Sequence, residues 1–185
     1  GSYLVSKLIE RGTDIRVVDD LSKGSLDNIR GLMENIQFRK LDLLNSEAYE
    51  GLLDDVDICF HLAAKIGGIG YFHKYPGTSI RDVIARPFNA YGPGEETGDY
   101  IGYSHVIPDL IKKVFSGQYP LEVLGSGKQT RSFTYVDDVA DAIVFVAEHA
   151  ENDDFNIGTG VETTVTDLAK MIWRLFGRKE EFKII

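Results

Sequence analysis

Ile15-Arg16-Val17-Val18-Asp19-Asp20-Leu21-Ser22-Lys23-Gly24 decides how the rest of this chain is read. The β-branched run 15–18 fits a pleated, buried surface and predicts a strand. Two carboxylates close it, and a turn rich in polar residues and glycine follows. Upstream, residues 1–12 carry Leu4, Leu8 and Ile9 on one stripe and stop at Gly12, which predicts a helix. Downstream, residues 36–41 predict a second strand. Ser46 opens a short helix with Leu52 and Leu53 on its apolar side, and residues 56–62 predict a third strand. Strands alternating with helices argue for an α/β fold, a doubly wound parallel sheet with helices on its faces.

The alternation then breaks. The next strand is expected at 79–86, yet residues 63–78 hold four glycines and a proline and make a poor helix. Parallel strands need a crossover of a dozen or more residues, usually helical. Either the strands pair unusually or chain is missing near Pro76–Gly77, and the second is expected. A doubly wound domain also normally begins on a strand, so the sequence reads as part of a longer protein.

The second half is more punctuated. Residues 105–116 predict an amphipathic helix with Val106, Ile107, Leu110, Ile111, Val114 and Phe115 inward and Lys112 and Lys113 outward. Short strands are expected at 121–124 and 131–135, with a turn at 125–127. Asp137 or Asp138 is expected to cap a helix through Glu148, and residues 155–158 end a strand. Thr166 is expected to cap a last helix with Leu168, Met171, Ile172, Leu175 and Phe176 inside.

Composition narrows the function. The 185 residues include 29 acids and 20 bases, a net charge of −9, which disfavours a nucleic-acid partner. No apolar run approaches the ~20 residues of a membrane span, so no membrane partner is expected. The one cysteine, Cys59, leaves no intrachain disulfide and suggests a reducing, cytoplasmic setting. The four histidines lack ligand spacing, so no metal is expected.

Several motifs carry chemistry. A carboxylate ending the second strand of a dinucleotide fold accepts hydrogen bonds from the adenosine ribose hydroxyls and repels a 2′-phosphate, favouring NAD over NADP. A solvated turn is the other reading of Asp19 and Asp20. Asn89, in Arg86-Pro87-Phe88-Asn89-Ala90-Tyr91-Gly92-Pro93-Gly94, follows a strand and offers both donor and acceptor. A plain loop is its alternative. Arg131 stands among aromatics, and its fork suits a diphosphate, although an ordinary surface arginine reads equally well. Residues 125–130 imitate a phosphate loop but have Glu122 where its first glycine belongs and Gln129 where the Mg²⁺-holding hydroxyl belongs. Tyr3 and Lys7 form the one Tyr-x-x-x-Lys, read as an accident of helix composition.

Together these pieces resemble the extended short-chain dehydrogenase/reductases of the NAD-dependent epimerase/dehydratase family, which act on nucleotide sugars. The carriers are residues 17–24, Leu41-Asp42-Leu43, His61-Leu62-Ala63-Ala64-Lys65, residues 86–94, residues 125–138, and Phe155-Asn156-Ile157-Gly158. The resemblance implies a Rossmann domain for NAD with a smaller C-terminal substrate domain. Residues 1–92 would be the first. Residues 93–185 would mainly be the second, with 132–150 returning to the first. By resemblance, Asp19 is the ribose-binding acid, and Asp20, Leu21 and Ser22 lie along the adenosine. Asp42 and Leu43 meet the adenine edge. Leu62, Ala63, Ala64 and Lys65 pass under the pyrophosphate and nicotinamide ribose, Pro87 approaches the nicotinamide, and Gly1 stands where the glycine loop ends. Asn89 holds the sugar-nucleotide diphosphate, His105 and Val106 start the substrate-domain helix near it, Arg131 clamps it, and Glu122 and Leu124 meet the nucleobase through backbone.

The implied activity is a UDP-sugar 4-epimerase working through a 4-keto intermediate. A 4,6-dehydratase or UDP-glucuronate decarboxylase is an alternative, as is a non-catalytic nucleotide-sugar binder. The family's catalytic Ser/Thr and Tyr-x-x-x-Lys are expected in the stretch missing before residue 79. At ~30 residues per strand–helix unit, that stretch would be about 60–90 residues. A homodimer of the intact protein is also implied.

Overall fold

The computed structural model describes residues 1–22, 24–43, 51–62, 83–95, 104–151 and 153–185. These form two compact units, Gly1–Val83 with Ala147–Asp153, and Ile84–Val146 with Asp154–Ile185. The expected break at Pro76–Gly77 and the helix start at Ser46 lie outside the described residues, as do residues 79–82 of the expected 79–86 strand.

In the first unit, α1 (Ser2–Glu10) buries Leu4 and Val5 and ends where the Gly12 amide donates to the Ile9 carbonyl at 2.9 Å. β1 (Ile15–Asp19) pairs in parallel with β2 (Ile36–Lys40), Asp19 opposite Lys40. Between them runs a 3₁₀ helix, Leu26–Asn35, which the sequence reading left as connection. Leu26, Ile29 and Leu32 recur every third residue, the period of a helix with three residues per turn. Ser25 caps it by accepting from the Asp27 amide at 3.2 Å. Arg16 on β1 donates to the Leu52 carbonyl at 2.6 Å and so ties down a distant turn.

The strand expected at 56–62 is not formed. The Val56 amide closes a turn onto the Leu53 carbonyl, and Ile58 and Leu62 are exposed. A strand exists only with a ladder partner, and none among the described residues pairs with this segment. Leu52 is buried as expected, whereas Leu53 is exposed.

In the second unit, β3 (Ile84–Pro87) pairs in parallel with β7 (Asp154–Ile157), with an Arg86–Asp154 ion pair at its edge. β4 (Ala90–Tyr91) pairs in parallel with β6 (Thr134–Tyr135), and β5 (Thr130–Arg131) pairs antiparallel with β8 (Thr163–Thr164). The single strand expected at 131–135 is therefore split. Its middle residues face side-chain partners instead of a ladder: the Ser132 carbonyl accepts from Asn89 and the Phe133 carbonyl from Thr159. Residues 121–124 make only a bridge from Leu121 to Ile184. α3 (Val136–His149) starts before Asp137 and Asp138, which lie in its first turn and favour the positive helix end rather than capping it.

The core of this unit lies between α2 (Val106–Phe115) and α4 (Val165–Leu175). It joins Leu110, Val114, Leu121, Val123, Val165, Leu168, Ala169, Ile172 and Trp173. Ile111, Phe115, Met171, Leu175 and Phe176, expected inside, are exposed. Leu168 and Ile172 are buried as expected, and the stripe of α4 is completed by Val165, Ala169 and Trp173. Trp173 donates to the Glu180 carbonyl at 3.2 Å, and the Arg178 guanidinium lies 4.6 Å from its ring centre. Arg178 also donates to the Val114 carbonyl at the end of α2. The cap of α4 is Thr164, not Thr166. Thr166 is one step inside and serves the turn before it, donating to the Gly127 carbonyl. Gly127 is left-handed (φ +69°), and a Cβ there would collide with the Thr166 hydroxyl. No helix among the described residues is long and apolar enough to cross a membrane.

Candidate functional site

Of the residues expected to bind the cofactor, Asp19, Asp20, Leu21, Ser22, Asp42 and Leu43 lie where β1 and β2 end. Asp19 closes β1, its carbonyl accepts from the Leu41 amide at 3.1 Å, and Asp42 follows one residue on. Parallel strands in register bring both acids to one sheet edge, the edge at which open α/β sheets take ligands. The N-terminus of α1 reaches the same edge. Gly1, at that terminus, lies within electrostatic range of the Asp19 carboxylate.

The turn after β1 is built on its own acids. Asp19 Oδ1 accepts from the Leu21 amide at 2.7 Å, and Asp20 Oδ1 from the Ser22 amide at 2.8 Å. Leu21 takes a left-handed backbone (φ +60°) to let both form. The Ser22 amide and hydroxyl hold the Asp20 carboxyl below the ordinary carboxylate range. Asp19 lies against Gly24, its carboxylate 3.5 Å from where a Cβ would be. One Asp19 oxygen is thus committed to the turn, and its exposed carboxylate keeps further acceptor sites. Leu43 is half-buried and Leu62 exposed; Ala63, Ala64 and Lys65 lie outside the described residues.

The substrate residues and Pro87 belong to the second unit. Pro87 ends β3, and Asn89 follows in a left-handed backbone (φ +40°). Asn89 is pinned on both sides, by the Phe88 amide on the Ile157 carbonyl at 2.8 Å and by its own carbonyl, which accepts from the Thr134 amide at 3.3 Å. Non-glycine residues held there mark sites whose surroundings over-determine the backbone. The Asn89 Nδ2 donates to the Ser132 carbonyl at 3.1 Å. Arg131 is exposed on β5 and spends one N–H on the Thr130 carbonyl at 2.7 Å, which leaves most of its fork outward.

His105 stands just before α2, paired through Nδ1 with Glu95, and Val106 begins the helix against the core. The backbone at 122–124 is already engaged. The Glu122 amide donates to Gln118 Oε1 at 3.2 Å, the Glu122 carbonyl accepts from Lys113 at 3.2 Å, and the Leu124 carbonyl accepts from Gln129 at 2.7 Å. Carbonyls have a second lone pair for a ligand; the single Glu122 N–H does not. Lys113, expected outward, is held in this network and by Asp109 at 2.8 Å.

Sequence reasoning passed over Ser132, whose carbonyl accepts from Asn89, and Thr159, whose hydroxyl meets that of Ser132. Their signal was small: a hydroxyl residue two positions after the C-terminal end of β7, in Asn156-Ile157-Gly158-Thr159, and another two residues before β6.

Comparison with known proteins gives these positions a frame. A putative UDP-glucose 4-epimerase of Methanocaldococcus jannaschii is 28% identical over 250 residues, covering 98% of this chain and 80% of that protein. UDP-glucuronic acid decarboxylase 1 of Arabidopsis thaliana is 25% identical over 248 residues, covering 93% of this chain. The chain spans 55% of that relative's length. The alignment to the archaeal protein runs over 250 positions against a chain of 185, so at least 65 positions of that relative have no counterpart here. Among solved structures, UDP-glucose 4-epimerase of Thermotoga maritima superposes with a TM-score of 0.80 at 22% identity, covering 100% of this chain and 82% of that one. That likeness establishes the Rossmann-type α/β fold. The model of the NAD dependent epimerase/dehydratase family matches residues 1–84 and again 78–158, and the chain belongs to that family.

Proposed function

We propose that this chain carries the NAD site and the nucleotide-sugar site of a UDP-sugar 4-epimerase. Residues 1–92 serve NAD: Asp19 takes the ribose hydroxyls, Asp20, Leu21, Ser22, Asp42 and Leu43 line the adenosine, and Gly1 opens α1 toward the pyrophosphate. Residues 93–185, with Asn89, serve the sugar nucleotide, Arg131 and Asn89 meeting its diphosphate. The observation that carries the reading is the placement of Asp19, at the end of β1, and Asp42, just beyond the end of β2, at one end of a parallel strand pair. Bound NAD supplies the acceptor for a hydride from the sugar. The chain's own residues bind and orient.

Proton removal from the sugar hydroxyl needs a tyrosine of lowered pKa beside a lysine. The chain's one Tyr-x-x-x-Lys, Tyr3 and Lys7, follows the helix start assigned to the pyrophosphate, the wrong end of the cofactor. The reading therefore places the catalytic pair in the stretch that the relatives' longer alignments leave without a counterpart. The match to the decarboxylase supports a second reading, a UDP-glucuronate decarboxylase framework.

The test is titration calorimetry of the chain with NAD, NADP and UDP, alongside an assay of UDP-glucose/UDP-galactose interconversion. NAD and UDP are expected to bind without turnover. Turnover would assign the chemistry to Tyr3 and Lys7, and failure of both ligands to bind would overturn the function.

A further inference from the structure

Asn89 donates through Nδ2 to the carbonyl of Ser132, at 3.1 Å. The segment that carries this carbonyl is held through the side chain of Ser132 and the carbonyl of Phe133. The Ser132 and Thr159 hydroxyls lie 3.0 Å apart, Thr159 Oγ1 reaches the Phe133 carbonyl at 3.4 Å, and the Val161 amide donates to Thr159 Oγ1 at 3.3 Å. One proton assignment satisfies all three contacts. Thr159 gives its hydrogen to Phe133 and accepts from Val161 and from the Ser132 hydroxyl, using both lone pairs. The hydroxyl pair fits because Gly158 sits beside it: a Cβ on Gly158 would lie 3.5 Å from Ser132 Oγ and 3.3 Å from Phe88.

We propose that the Ser132–Thr159 hydroxyl pair is a positioning unit that fixes the Asn89 side-chain amide. Turning the amide by 180° would set Oδ1 against the Ser132 carbonyl, acceptor against acceptor. With one N–H tethered, the second N–H is held in a fixed direction as a preorganised donor for an anionic oxygen. The left-handed backbone of Asn89, pinned on both sides, fixes the point from which the side chain projects. This inference rests on the reading of Asn89 as a diphosphate ligand. Thr159 and Ser132 act through Asn89.

The experiment has a ligand-free arm and a ligand arm. In the ligand-free arm, the Asn89 side-chain NH₂ pair is followed by ¹⁵N NMR in the wild type, Thr159→Val and Thr159→Ser. Valine keeps the shape and removes the hydroxyl. The two amide protons are expected to converge in shift and exchange faster in Thr159→Val and to be restored in Thr159→Ser. In the ligand arm, Thr159→Val is expected to weaken UDP binding about three- to tenfold, the loss of one neutral hydrogen bond. NAD binding and thermal midpoint are expected to stay near wild type. In an Asn89→Ala background the same substitution is expected to have no further effect. An unchanged Asn89 signal in Thr159→Val overturns the positioning role, as does an equal UDP loss with or without Asn89. A moved Asn89 signal in a protein that does not bind UDP overturns the diphosphate reading and leaves the tether itself established.

Discussion

Thr164 and Asp167 exchange two hydrogen bonds at the start of α4: the Thr164 hydroxyl accepts from the Asp167 amide at 3.0 Å and donates to Asp167 Oδ2 at 2.7 Å. The cap and the first-turn acid thus hold each other. The Thr164 hydroxyl keeps the Asp167 carboxyl below the ordinary carboxylate range. Thr164→Ala is expected to cost about 0.5–2 kcal/mol by denaturant unfolding, the value of a lost cap. The sign with pH follows from the lowered folded-state value. Asp167's contribution is complete above the ordinary carboxylate range and is lost as pH falls through that lowered value. By NMR titration, Asp167 should rise toward the ordinary range in Thr164→Ala; an unmoved titration would refute the coupling.

Trp173 is 3% exposed, bonded through its indole nitrogen and covered by Arg178. Trp173→Ala is expected to destabilise the second unit by about 3–5 kcal/mol, the cost of emptying an aromatic core site. Arg178→Met, which keeps much of the aliphatic cover, should cost less. Chemical denaturation followed by circular dichroism ranks the two, and an equal cost would mean that the guanidinium contacts dominate.

Asp19→Ala is expected to weaken NAD binding by about 1.5–3 kcal/mol, as for a hydrogen bond to a charged group. NADP binding should suffer less, because the carboxylate no longer repels the 2′-phosphate. Since Asp19 also holds the Leu21 amide, Asp19→Asn is the control that keeps an acceptor for the turn. Calorimetry with both cofactors decides, and equal losses would remove Asp19 from the cofactor site.

Arg131→Lys is expected to lower UDP affinity about tenfold, near 1.4 kcal/mol, because a point charge replaces a fork that grips two oxygens. NAD binding should hold. Unchanged UDP affinity would return Arg131 to an ordinary surface role.

Where residues speak through local pattern, the sequence was legible. The run 15–19, the amphipathic spacing of α2 and the acids after β1 each state their structure in a few neighbouring residues. Pairing was harder. Residues 56–62 have strand composition without a partner among the described residues, and residues 131–135 divide between two sheets. Neither outcome is written in those residues alone. The face of α4 was legible at Leu168 and Ile172 but not beyond them, because Leu175 and Phe176 are apolar yet exposed, while Ala169 is small and fully buried. As candidates for the site, Asp19, Asn89 and Arg131 stood out by their chemistry and position. Ser132 and Thr159 did not, because their role lies in a contact across 27 residues of chain.

The chain has one tryptophan, and it is packed in the second unit. Intrinsic indole fluorescence is therefore a reporter confined to that unit. Its emission should shift when α2 and α4 separate and stay silent while the β1–β2 unit opens, a step that far-ultraviolet circular dichroism would record. Two optical signals on an unlabelled sample can thus tell whether the two units melt as one body or in sequence, and which of them a given ligand protects.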